Sequence, residues 1–589
     1  MGDQSHELGM KSPITRRDFL DGVATAAVAG ACAQGGSSYP RARTGEAEAG
    51  GFRGDTPDVL GVPHALRDGR FWEHAGVPDP TGEAYDLVVA GAGISGMTAA
   101  YRWLRQDPAA RVLVLDNRSE LGGGPEAQYR APGGPRRPSG RPAMCRPEGR
   151  DLLDDLGVRP AEYDAREVGP GLGMYEAVYC DRETFPAERL VVHSPGRTTE
   201  DIVAELPIND TAKQDLIRLY EDPPDWFPGL TDEEKKERLA GLTYSAFLEE
   251  VCGAHPDVVK FCRTMPSAEW GYGSDAFGAI DAWAGRGRYP GFGGLGLDAS
   301  KPSRYNSPTV AKRWSGHAYR FPEAMVSTMV ARMIPGFTAA RLDRPGNRLR
   351  IRLASPVVMA ANDADGGATV GYFDGHRVRT VRAGSVILAC RHTMIPYLVP
   401  ELPPEQRSAL GQAVRTPLIT ATVRLRDWSA WQRAGVGRVR FTGAYWVSAE
   451  LDLPGGAGGE PILANLVRVP AVPGMPPAQG AVAGRRELVA TPYEYLEFTL
   501  REQLTRLLGP AGFDPGRDIE AVTVNRWGHA GAREYARPWD AFHPDGPLPA
   551  EIASRRLGRI AIAGSDAVPE AGADAAVASA YRAVADLMA

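Results

Sequence analysis

The chain has 589 residues, of which 43% are apolar and 24% are charged. These proportions are ordinary for a globular protein with a large core. A formal net charge of −6 excludes the excess of lysine and arginine that nucleic-acid-binding surfaces need.

The first 33 residues are predicted to be an export signal and are left out of the fold. The run Arg16-Arg17-Asp18-Phe19-Leu20 precedes a short, weakly apolar stretch over residues 22–31 and small residues suited to cleavage. This pattern is typical of a twin-arginine signal, and the apolar stretch is too short to span a membrane. We therefore expect a periplasmic or otherwise exported protein with no membrane span. An arginine pair without a targeting role, or a lipid on Cys32, are the alternatives.

Residues 34–84 are rich in glycine, proline and charge and show no sustained apolar period, so a linker or surface wrap is predicted there. The segments 131–149 and 470–486 have a similar composition. We expect both to be exposed loops.

An apolar run over residues 87–90 leads into glycines spaced G-x-G-x-x-G. In a dinucleotide site the first glycine permits a tight turn, the second lets the backbone approach a pyrophosphate, and the third lets the next helix pack on the sheet. That helix, predicted over 97–104, would face the phosphates with its free N–H groups. The predicted cofactor site therefore includes Gly91, Gly93, Ile94, Ser95 and Gly96.

A second apolar strand over residues 111–115 ends at Asp116 and Asn117. Asp116 follows the third glycine by about 20 residues, where a carboxylate can hold ribose hydroxyls. The strand, the helix and the acid follow in the order that nucleotide binding requires. This order argues against the alternative, a glycine-rich turn in an unrelated α/β protein.

Later segments favour FAD over NAD. Gly122 and Gly123 form a second flexible turn, placed where an extended FAD needs backbone beside its phosphates and ribityl chain. Near the carboxyl end, a strand over 559–563 leads to Gly564 and Asp566 and then to a helix over 573–588. Flavoproteins use such a segment to place an aspartate on the ribityl chain and a helix terminus under the flavin. The alternative for each piece is an ordinary core strand.

Four segments alternate as a β-meander does, and a buried strand over 384–390 follows them; the four are 348–354, 357–360, 368–373 and 378–381. In such folds the backbone near Val358 meets the adenine. The predicted fold class is α/β, with a Rossmann-like FAD-binding domain that is discontinuous in sequence and a mixed α+β substrate domain. The FAD-binding domain takes residues 85–150, 340–395 and 515–589; the substrate domain takes 151–339 and 396–514.

The cysteines outside the predicted export signal are widely spaced, and the chain has no Cys-x-x-Cys, Cys-x-x-Cys-His or His-Glu-x-x-His motif. Neither a metal site nor covalent haem is therefore predicted. Aromatic residues interleaved with glycines over 270–283 could wall a substrate slot or simply pack in the core.

The chain resembles the bacterial spermidine dehydrogenase family, flavoproteins that are exported by the twin-arginine route and oxidise polyamines. The resemblance extends almost from end to end. It rests on an ordered series of segments: 14–20 (ITRRDFL), 62–69 (VPHALRDG), 84–96, 115–117 (LDN), 180–185 (CDRETF), 289–298 (YPGFGGLGLD), 524–529 (VNRWGH) and 560–566 (IAIAGSD).

Two segments depart from the family pattern. Residues 124–129 read GPEAQY where the family has a basic run, and residues 321–325 read FPEAM where it has a glycine and an amide. Because both departures fall where chemistry is expected, they bear on substrate identity more than on FAD binding.

The resemblance implies that FAD takes a hydride from the carbon beside an amine nitrogen of a small-molecule substrate. It places Trp527 and His529 at the flavin ring, although both could instead be packing residues. Asp275, Asp281 and Glu323 are candidates for binding the cationic tail of the substrate, or for ordinary structural roles.

The resemblance leaves the electron acceptor open between oxygen and a redox carrier. It also admits haem, for which no ligands stand out among the ten histidines. Three functional hypotheses remain: an amine dehydrogenase or oxidase, a flavin oxidase or desaturase acting on a non-polyamine substrate, and a weakly active FAD-binding protein.

Overall fold

The computed structural model describes residues 52–122, 146–157, 172–285, 287–298, 321–452, 462–531, 538–539, 548–568 and 572–589. In these residues the strands are β1 (Phe52–Gly54), β2 (Asp79–Ala90), β3 (Val112–Leu115), β4 (Tyr175–Cys180), β5 (Arg189–Val192), β6 (Leu349–Arg352), β7 (Val357–Asn362), β8 (Ala368–Phe373), β9 (Val378–Leu388), β10 (Thr416–Leu425), β11 (Val436–Phe441), β12 (Ser448–Asp452), β13 (Ile462–Arg468), β14 (Ile519–Gly531) and β15 (Ile560–Ile562).

The α-helices of the same residues are α1 (Pro57–Arg67), α2 (Phe71–His74), α3 (Ile94–Gln106), α4 (Pro147–Leu156), α5 (Thr199–Ala204), α6 (Asp210–Glu221), α7 (Asp232–Ala240), α8 (Tyr244–Ala246), α9 (Pro256–Cys262), α10 (Ser267–Trp270), α11 (Ala279–Ala284), α12 (Phe321–Met333), α13 (Ile395–Leu398), α14 (Pro404–Gly411), α15 (Ser429–Ala434), α16 (Pro477–Ala490), α17 (Tyr493–Leu508), α18 (Pro515–Asp518), α19 (Pro549–Ala553) and α20 (Ala573–Met588).

The cofactor sheet has the strand order β6-β3-β2-β9-β8-β7, with β15 paired to β9. The last four residues of β2 and all of β3 are buried, and the two strands pair in parallel. A parallel strand covered on both faces must be apolar throughout, which explains the continuous runs in the sequence. Helices α3 and α20 pack together against this sheet.

Strand β9 joins the two halves of this sheet. Its carboxyl end pairs in parallel with β2 on one side and with β15 on the other. Its amino end pairs antiparallel with β8, which in turn pairs with β7. Of the four segments predicted as a meander over 348–381, the last three form one, whereas the first, β6, pairs in parallel with β3. The last strand of the meander continues without a break into the strand predicted over 384–390.

The second sheet has the order β1-β14-β10-β13-β12-β11-β4-β5 within the described residues. Its core strands β14, β10 and β13 pair antiparallel. Trp431 and Trp446 are fully buried in the core between this sheet and its helices. A separate helical core over residues 203–295 packs beside the sheet.

The predicted fold class is confirmed, but the predicted boundaries need correction. Within the segment 34–84, predicted to be a linker or surface wrap, residues 52–84 contain β1, α1, α2 and the start of β2. Val62, Leu66 and Phe71 in this segment are buried against the cofactor sheet. These elements are short, so tertiary packing rather than a long apolar period stabilises them.

Further segments belong to a different domain from the one predicted for them. Helix α12 packs on α3, so it belongs to the cofactor core rather than to the substrate domain. Helices α13 and α14 likewise pack in the core of the cofactor sheet. Strand β14 falls within the range 515–589 predicted for the FAD-binding domain, but it pairs with β10 in the second sheet.

No helix in the described part of the chain is both long enough and apolar enough to cross a membrane.

Candidate cofactor and active site

A cavity opens where the carboxyl ends of β2, β3 and β9 meet. Its lining includes the glycine loop after β2, the residues that follow β3 and β9, one face of α1, and the amino end of α20. Ligands of open α/β sheets bind at this edge, because the loops that follow parallel strands converge there.

The glycine loop has the geometry that a dinucleotide requires. Gly91 has a φ of +118°, and a β-carbon on it would lie 2.5 Å from the carbonyl oxygen of Ala389. A β-carbon on Gly96 would lie 1.8 Å from the carbonyl oxygen of Gly91. The loop therefore tolerates no side chain at either position, and the first turn of α3 lies directly on it.

Helix α3 begins at Ile94, with Gly93 as its N-cap, and both residues line the cavity with Ser95. No side chain caps the helix, so its first N–H groups are free to face an anion. The second glycine turn lies beside this loop, since Gly122 donates its N–H to the carbonyl oxygen of Ala92 at 3.2 Å. This arrangement fits the phosphates of a dinucleotide.

Asp116 follows β3 and lines the same cavity. Its Oδ2 accepts the N–H of Ala92 at 2.6 Å, and its Oδ1 accepts the N–H of Arg118 at 2.8 Å. Burial raises the pKa of Asp116, although these two N–H donors oppose the shift. Each carboxylate oxygen keeps a second lone pair, so both can still accept a ribose hydroxyl.

Three arginines line the cavity, and each is paired with an aspartate. Arg118 and Arg391 both donate to the carboxylate of Asp55, whose side chain is 0% exposed. Burial alone would raise the pKa of Asp55, but Arg391 and Arg118 hold it well below its ordinary value. Removing either partner of such a buried ion pair leaves an uncompensated charge, which is strongly destabilising.

The third arginine, Arg415, belongs to the segment just before β10. Its Nε donates to both carboxylate oxygens of Asp566, at 3.1 and 3.0 Å, and its Nη2 donates to Ser565 Oγ at 3.0 Å. The backbone N–H of His392 also donates to Asp566, at 3.3 Å. Asp566 is thus held by residues from two other parts of the chain.

Two histidines on the cavity wall are held neutral. Burial, assisted by Arg391 and Arg485, lowers the pKa of His529 to about 2. Burial and the nearby Arg67 lower the pKa of His64 to about 4. Both imidazoles are therefore uncharged at neutral pH and serve as hydrogen-bonding groups rather than as cations.

Two family models match the chain. Residues 89–137 match an NAD(P)-binding Rossmann-like domain. Residues 285–588, more than half of the chain, match the model described as flavin containing amine oxidoreductase. The chain belongs to the flavin-containing amine oxidoreductase family.

Several solved structures have a fold similar to that of this chain. A putrescine oxidase bound to putrescine has a TM-score of 0.51 at 16% identity, covering 86% of this chain and 99% of its own. Cyclohexylamine oxidase from Brevibacterium oxydans IH-35A also has a TM-score of 0.51 at 16% identity, covering 85% and 98%. A protein of Exiguobacterium sp. 255-15, provisionally assigned as a protoporphyrinogen oxidase, has a TM-score of 0.54 at 15% identity, covering 86% and 99%. At these identities the similarity shows a shared fold. No curated protein sequence matches the chain.

Membership of the amine oxidoreductase family implies FAD, and the predicted cofactor residues can be located on that basis. Gly91, Gly93, Ile94, Ser95, Asp116, Asn117, Gly122 and Gly564 all line the cavity. Gly96 lies behind the loop, where it allows the helix to approach. Gly123 falls outside the described residues.

Two predicted cofactor residues do not line the cavity. Val358 is buried in the core of the cofactor sheet, whereas its neighbours Pro356 and Val357 line the cavity. Asp566 stands behind Gly564 and Ser565, engaged by Arg415. Gly572 and Ala573, at the amino end of α20, line the cavity as the prediction of a helix terminus under the flavin requires.

Trp527 and His529 separate in the structure. Trp527 is 1% exposed, lies beneath the guanidinium of Arg118 at 5.0 Å, and is not part of the cavity lining. The placement of Trp527 at the flavin ring is therefore corrected to a packing role. His529, two residues along the same strand, lines the cavity. Residues two apart on a regular strand face the same side of the sheet. The pairing of β14 is irregular at this end, so His529 reaches the cavity and Trp527 does not.

The acidic residues proposed for a cationic tail lie away from the described cavity. Asp275 accepts the backbone N–H of Gly474, and Asp281 is 2% exposed in the helical core. The burial of Asp281 corrects it to a structural role, whereas the role of Asp275 in binding the substrate stays a prediction. Glu323 lies in the first turn of α12, and its side chain is outside the described residues. Its role remains a prediction.

Sequence reasoning missed Asp55, His64, Arg118, Arg391 and Arg415. Arg118 and Arg391 directly follow the carboxyl ends of predicted strands, a position that points to a ligand site in α/β folds. The sequence did offer a signal for His64, since it lies within one of the segments that carry the family resemblance. Among the described residues, no three His, Cys, Asp or Glu side chains gather as metal ligands would.

Proposed function

We propose that the protein is an FAD-dependent oxidoreductase that oxidises a C–N bond of a polyamine or a related amine. The observation that carries the proposal is that the glycine loop, Asp116 and the amino end of α20 line one cavity in a chain of the amine oxidoreductase family. The polyamine substrate is supported by the ordered resemblance to spermidine dehydrogenases.

The residues of the chain divide the work of holding the cofactor. The free N–H groups at the start of α3 would bind the phosphates, and the carboxylate of Asp116 would accept the ribose hydroxyls. The amino end of α20 offers further N–H donors to an electron-rich edge. When bound, FAD supplies the two-electron acceptor for the C–H bond beside the amine nitrogen.

His529 is the residue of the described cavity best suited to contact the substrate. Its imidazole is neutral, so one ring nitrogen accepts a hydrogen bond while the other donates one. It can therefore orient an amine without adding a positive charge to the site. Burial of the substrate in this cavity would disfavour its ammonium form, and oxidation requires the neutral amine.

The test begins with a visible absorption spectrum of the purified protein, which reports bound flavin and, separately, any Soret band of haem. Spermidine and putrescine are then added anaerobically, and air is admitted afterwards. Bleaching by either amine supports the proposal, and the rate of recolouring in air distinguishes oxygen from a redox carrier as the acceptor. Protein that binds FAD but is not bleached by amines contradicts the polyamine assignment.

A second candidate is a flavin oxidase or desaturase that acts on a non-polyamine substrate. The departures from the spermidine dehydrogenase pattern at residues 124–129 and 321–325 favour it. Bleaching by a substrate with a reactive C–C or C–H bond, when polyamines fail, would support this candidate. A spectrum that no donor changes would instead indicate a weakly active FAD-binding protein.

Export by the twin-arginine route is part of the proposal, supported by Arg16 and Arg17 in the amino-terminal segment. This route carries folded proteins, so FAD would be inserted before export. The variant with both arginines changed to lysine is expected to stay in the cytoplasm with its flavin. Equal export of the two proteins would contradict the proposal.

A further inference from the structure

The segment 52–67, here called the strap, consists of β1, Asp55, Thr56 and α1. It lies outside both ranges that match the family models, residues 89–137 and 285–588. Its contacts in this chain are with the cavity described above.

The strap is attached to the second sheet at its amino end. β1 pairs in parallel with β14, Phe52 opposite Val524, and the N–H of Asp55 donates to the carbonyl oxygen of Arg526 at 2.7 Å. Gly54 has a φ of +90°, and a β-carbon there would collide with the same carbonyl oxygen. The backbone thus turns sharply at Gly54 and brings Asp55 between the two sheets.

Asp55 connects the strap to the cofactor sheet. Nη2 of Arg391 donates to both oxygens of the Asp55 carboxylate, each at 3.0 Å, and Nη2 of Arg118 donates to the same carboxylate. Arg118 follows β3 and Arg391 follows β9, so one buried carboxylate joins the loops after two strands. The backbone N–H of His529 also donates to it, at 3.3 Å. Charge-assisted hydrogen bonds between buried groups are among the stronger polar contacts in proteins.

Beyond Asp55, helix α1 lies over the cavity. Leu60, Pro63, His64 and Leu66 contribute to the cavity lining. The carbonyl oxygen of Val59 accepts Nδ2 of Asn117 at 3.2 Å, directly beside Asp116. The helix therefore covers the side of the cavity where the ribose carboxylate is located.

We propose that the strap closes the adenosine side of the FAD site, and that Asp55 is the positioning residue that holds it closed. The strap blocks exit of the cofactor past α1 for as long as Asp55 keeps its bonds to Arg118 and Arg391. Asp55 also holds these two guanidinium groups at the cavity wall. The inference rests on FAD binding in the proposed function and is independent of the amine substrate.

The test compares the rates at which FAD leaves wild-type, Asp55→Asn and Asp68→Asn proteins after dilution, followed by the rise in flavin fluorescence. Asp68 accepts hydrogen bonds from Arg67 and Arg70 just beyond the strap and does not line the cavity, so it is a matched control. Loss of one charge-assisted contact predicts release from Asp55→Asn that is about tenfold faster or more, with Asp68→Asn close to wild type.

A second measurement keeps the proposal testable if Asp55→Asn does not fold. Trypsin cleavage of the wild-type protein after Arg53, Arg67 or Arg70 is followed with and without FAD, and cleavage after Arg238 on α7 serves as the remote control. FAD is expected to slow cleavage at the strap and to leave the remote site unchanged.

The outcomes separate the two proposals. Release of FAD from Asp55→Asn at the wild-type rate, or strap cleavage that FAD does not slow, would overturn the strap and leave the proposed function standing. Wild-type protein that takes up no FAD would overturn both. A fall in the stability of Asp55→Asn without faster FAD release would show that Asp55 has a structural role only, and would also overturn the proposal.

Discussion

Gly96 and Gly91 are packed so closely that a β-carbon built on Gly96 would lie 1.8 Å from the carbonyl oxygen of Gly91. The same β-carbon would lie 3.2 Å from a methyl group of Val89. The first turn of α3 therefore has no room to move closer to β2. This contact fixes the position of the helix N-terminus at the cavity.

The Gly96→Ala variant is expected to lose stability and FAD together. The added methyl group must displace either the glycine loop or α3, which costs about 1–3 kcal/mol or more for overpacking. Urea unfolding and flavin content after purification measure the two effects.

Gly61→Ala is the matched control for this variant. Gly61 is also in a helix, but a β-carbon there meets nothing within 4 Å. Alanine at this position should raise stability by about 0.5–1 kcal/mol, because it reduces the freedom of the unfolded chain. A Gly96→Ala protein as stable and as yellow as wild type would show that the loop is not tightly packed.

Changing Asp116 to Asn should weaken FAD binding. The amide can accept only one of the two backbone N–H bonds that the carboxylate now accepts, from Ala92 and Arg118. Loss of one such bond and of the ribose contact predicts affinity that is weaker by about tenfold or more. Fluorescence titration with FAD measures this affinity.

Asp107→Asn is the control for Asp116. Asp107 also accepts a backbone N–H, that of Ala109 at 3.0 Å, but in an exposed turn at the opposite end of α3. Its substitution should leave FAD affinity unchanged. Equal affinities for Asp116→Asn and wild type would remove Asp116 from the cofactor site.

Removing one partner of the Arg415–Asp566 ion pair is expected to destabilise the protein more than replacing both partners. The side chain of Asp566 is 2% exposed, so Arg415→Ala leaves a buried carboxylate without its partner. The loss should be about 3 kcal/mol in urea unfolding, and Arg415→Leu combined with Asp566→Asn should recover part of it. If the double variant is no more stable than the single one, the pair does not act as a unit.

Stability should fall as the pH falls below the ordinary histidine pKa. Burial lowers the pKa of His392 and of His64 to about 4, and that of His529 to about 2. The unfolded chain takes up these protons near pH 6.5, whereas the folded protein does not, so the free energy of unfolding rises with pH in this window. The loss begins as the pH drops below 6.5 and continues towards pH 4.

The contribution of a single histidine can be isolated with His392→Asn. His392 is fully buried and does not line the cavity, so this variant avoids the cofactor. Each non-titrating buried histidine contributes at most about 1.4 kcal/mol per pH unit. The slope of unfolding free energy between pH 5 and 6 should therefore decrease by about that amount in the variant. An unchanged slope would mean that His392 titrates normally in the folded protein.

The glycine loop could be predicted from the sequence because its function is local. Gly91, Gly93, Gly96 and Asp116 stand at spacings that the turn and the helix N-terminus require. In the structure Gly91, Gly93 and Asp116 line one cavity, and Gly96 packs behind the loop. The buried strands were equally recognisable, since a strand covered on both faces reads as an uninterrupted apolar run.

The charged part of the site could not be predicted in this way. Asp55 meets Arg391 across 336 positions of sequence, and no local pattern records such a pairing. Trp527 and His529 are two residues apart, yet only one reaches the cavity, because the irregular end of β14 decides which side each faces. Helix α1 was missed because its stability depends on the surface that it covers.

The position of β15 beside β9 has a consequence for how the protein is made. Synthesis proceeds from the amino end, so β2, β3 and the glycine loop leave the ribosome long before β15 and α20, the elements that complete their sheet and cover α3. The nucleotide-binding half can therefore reach its native packing only after β15 and α20 have been synthesised. A chain truncated before residue 560 is expected to remain unfinished at the centre of its cofactor sheet rather than only at its end.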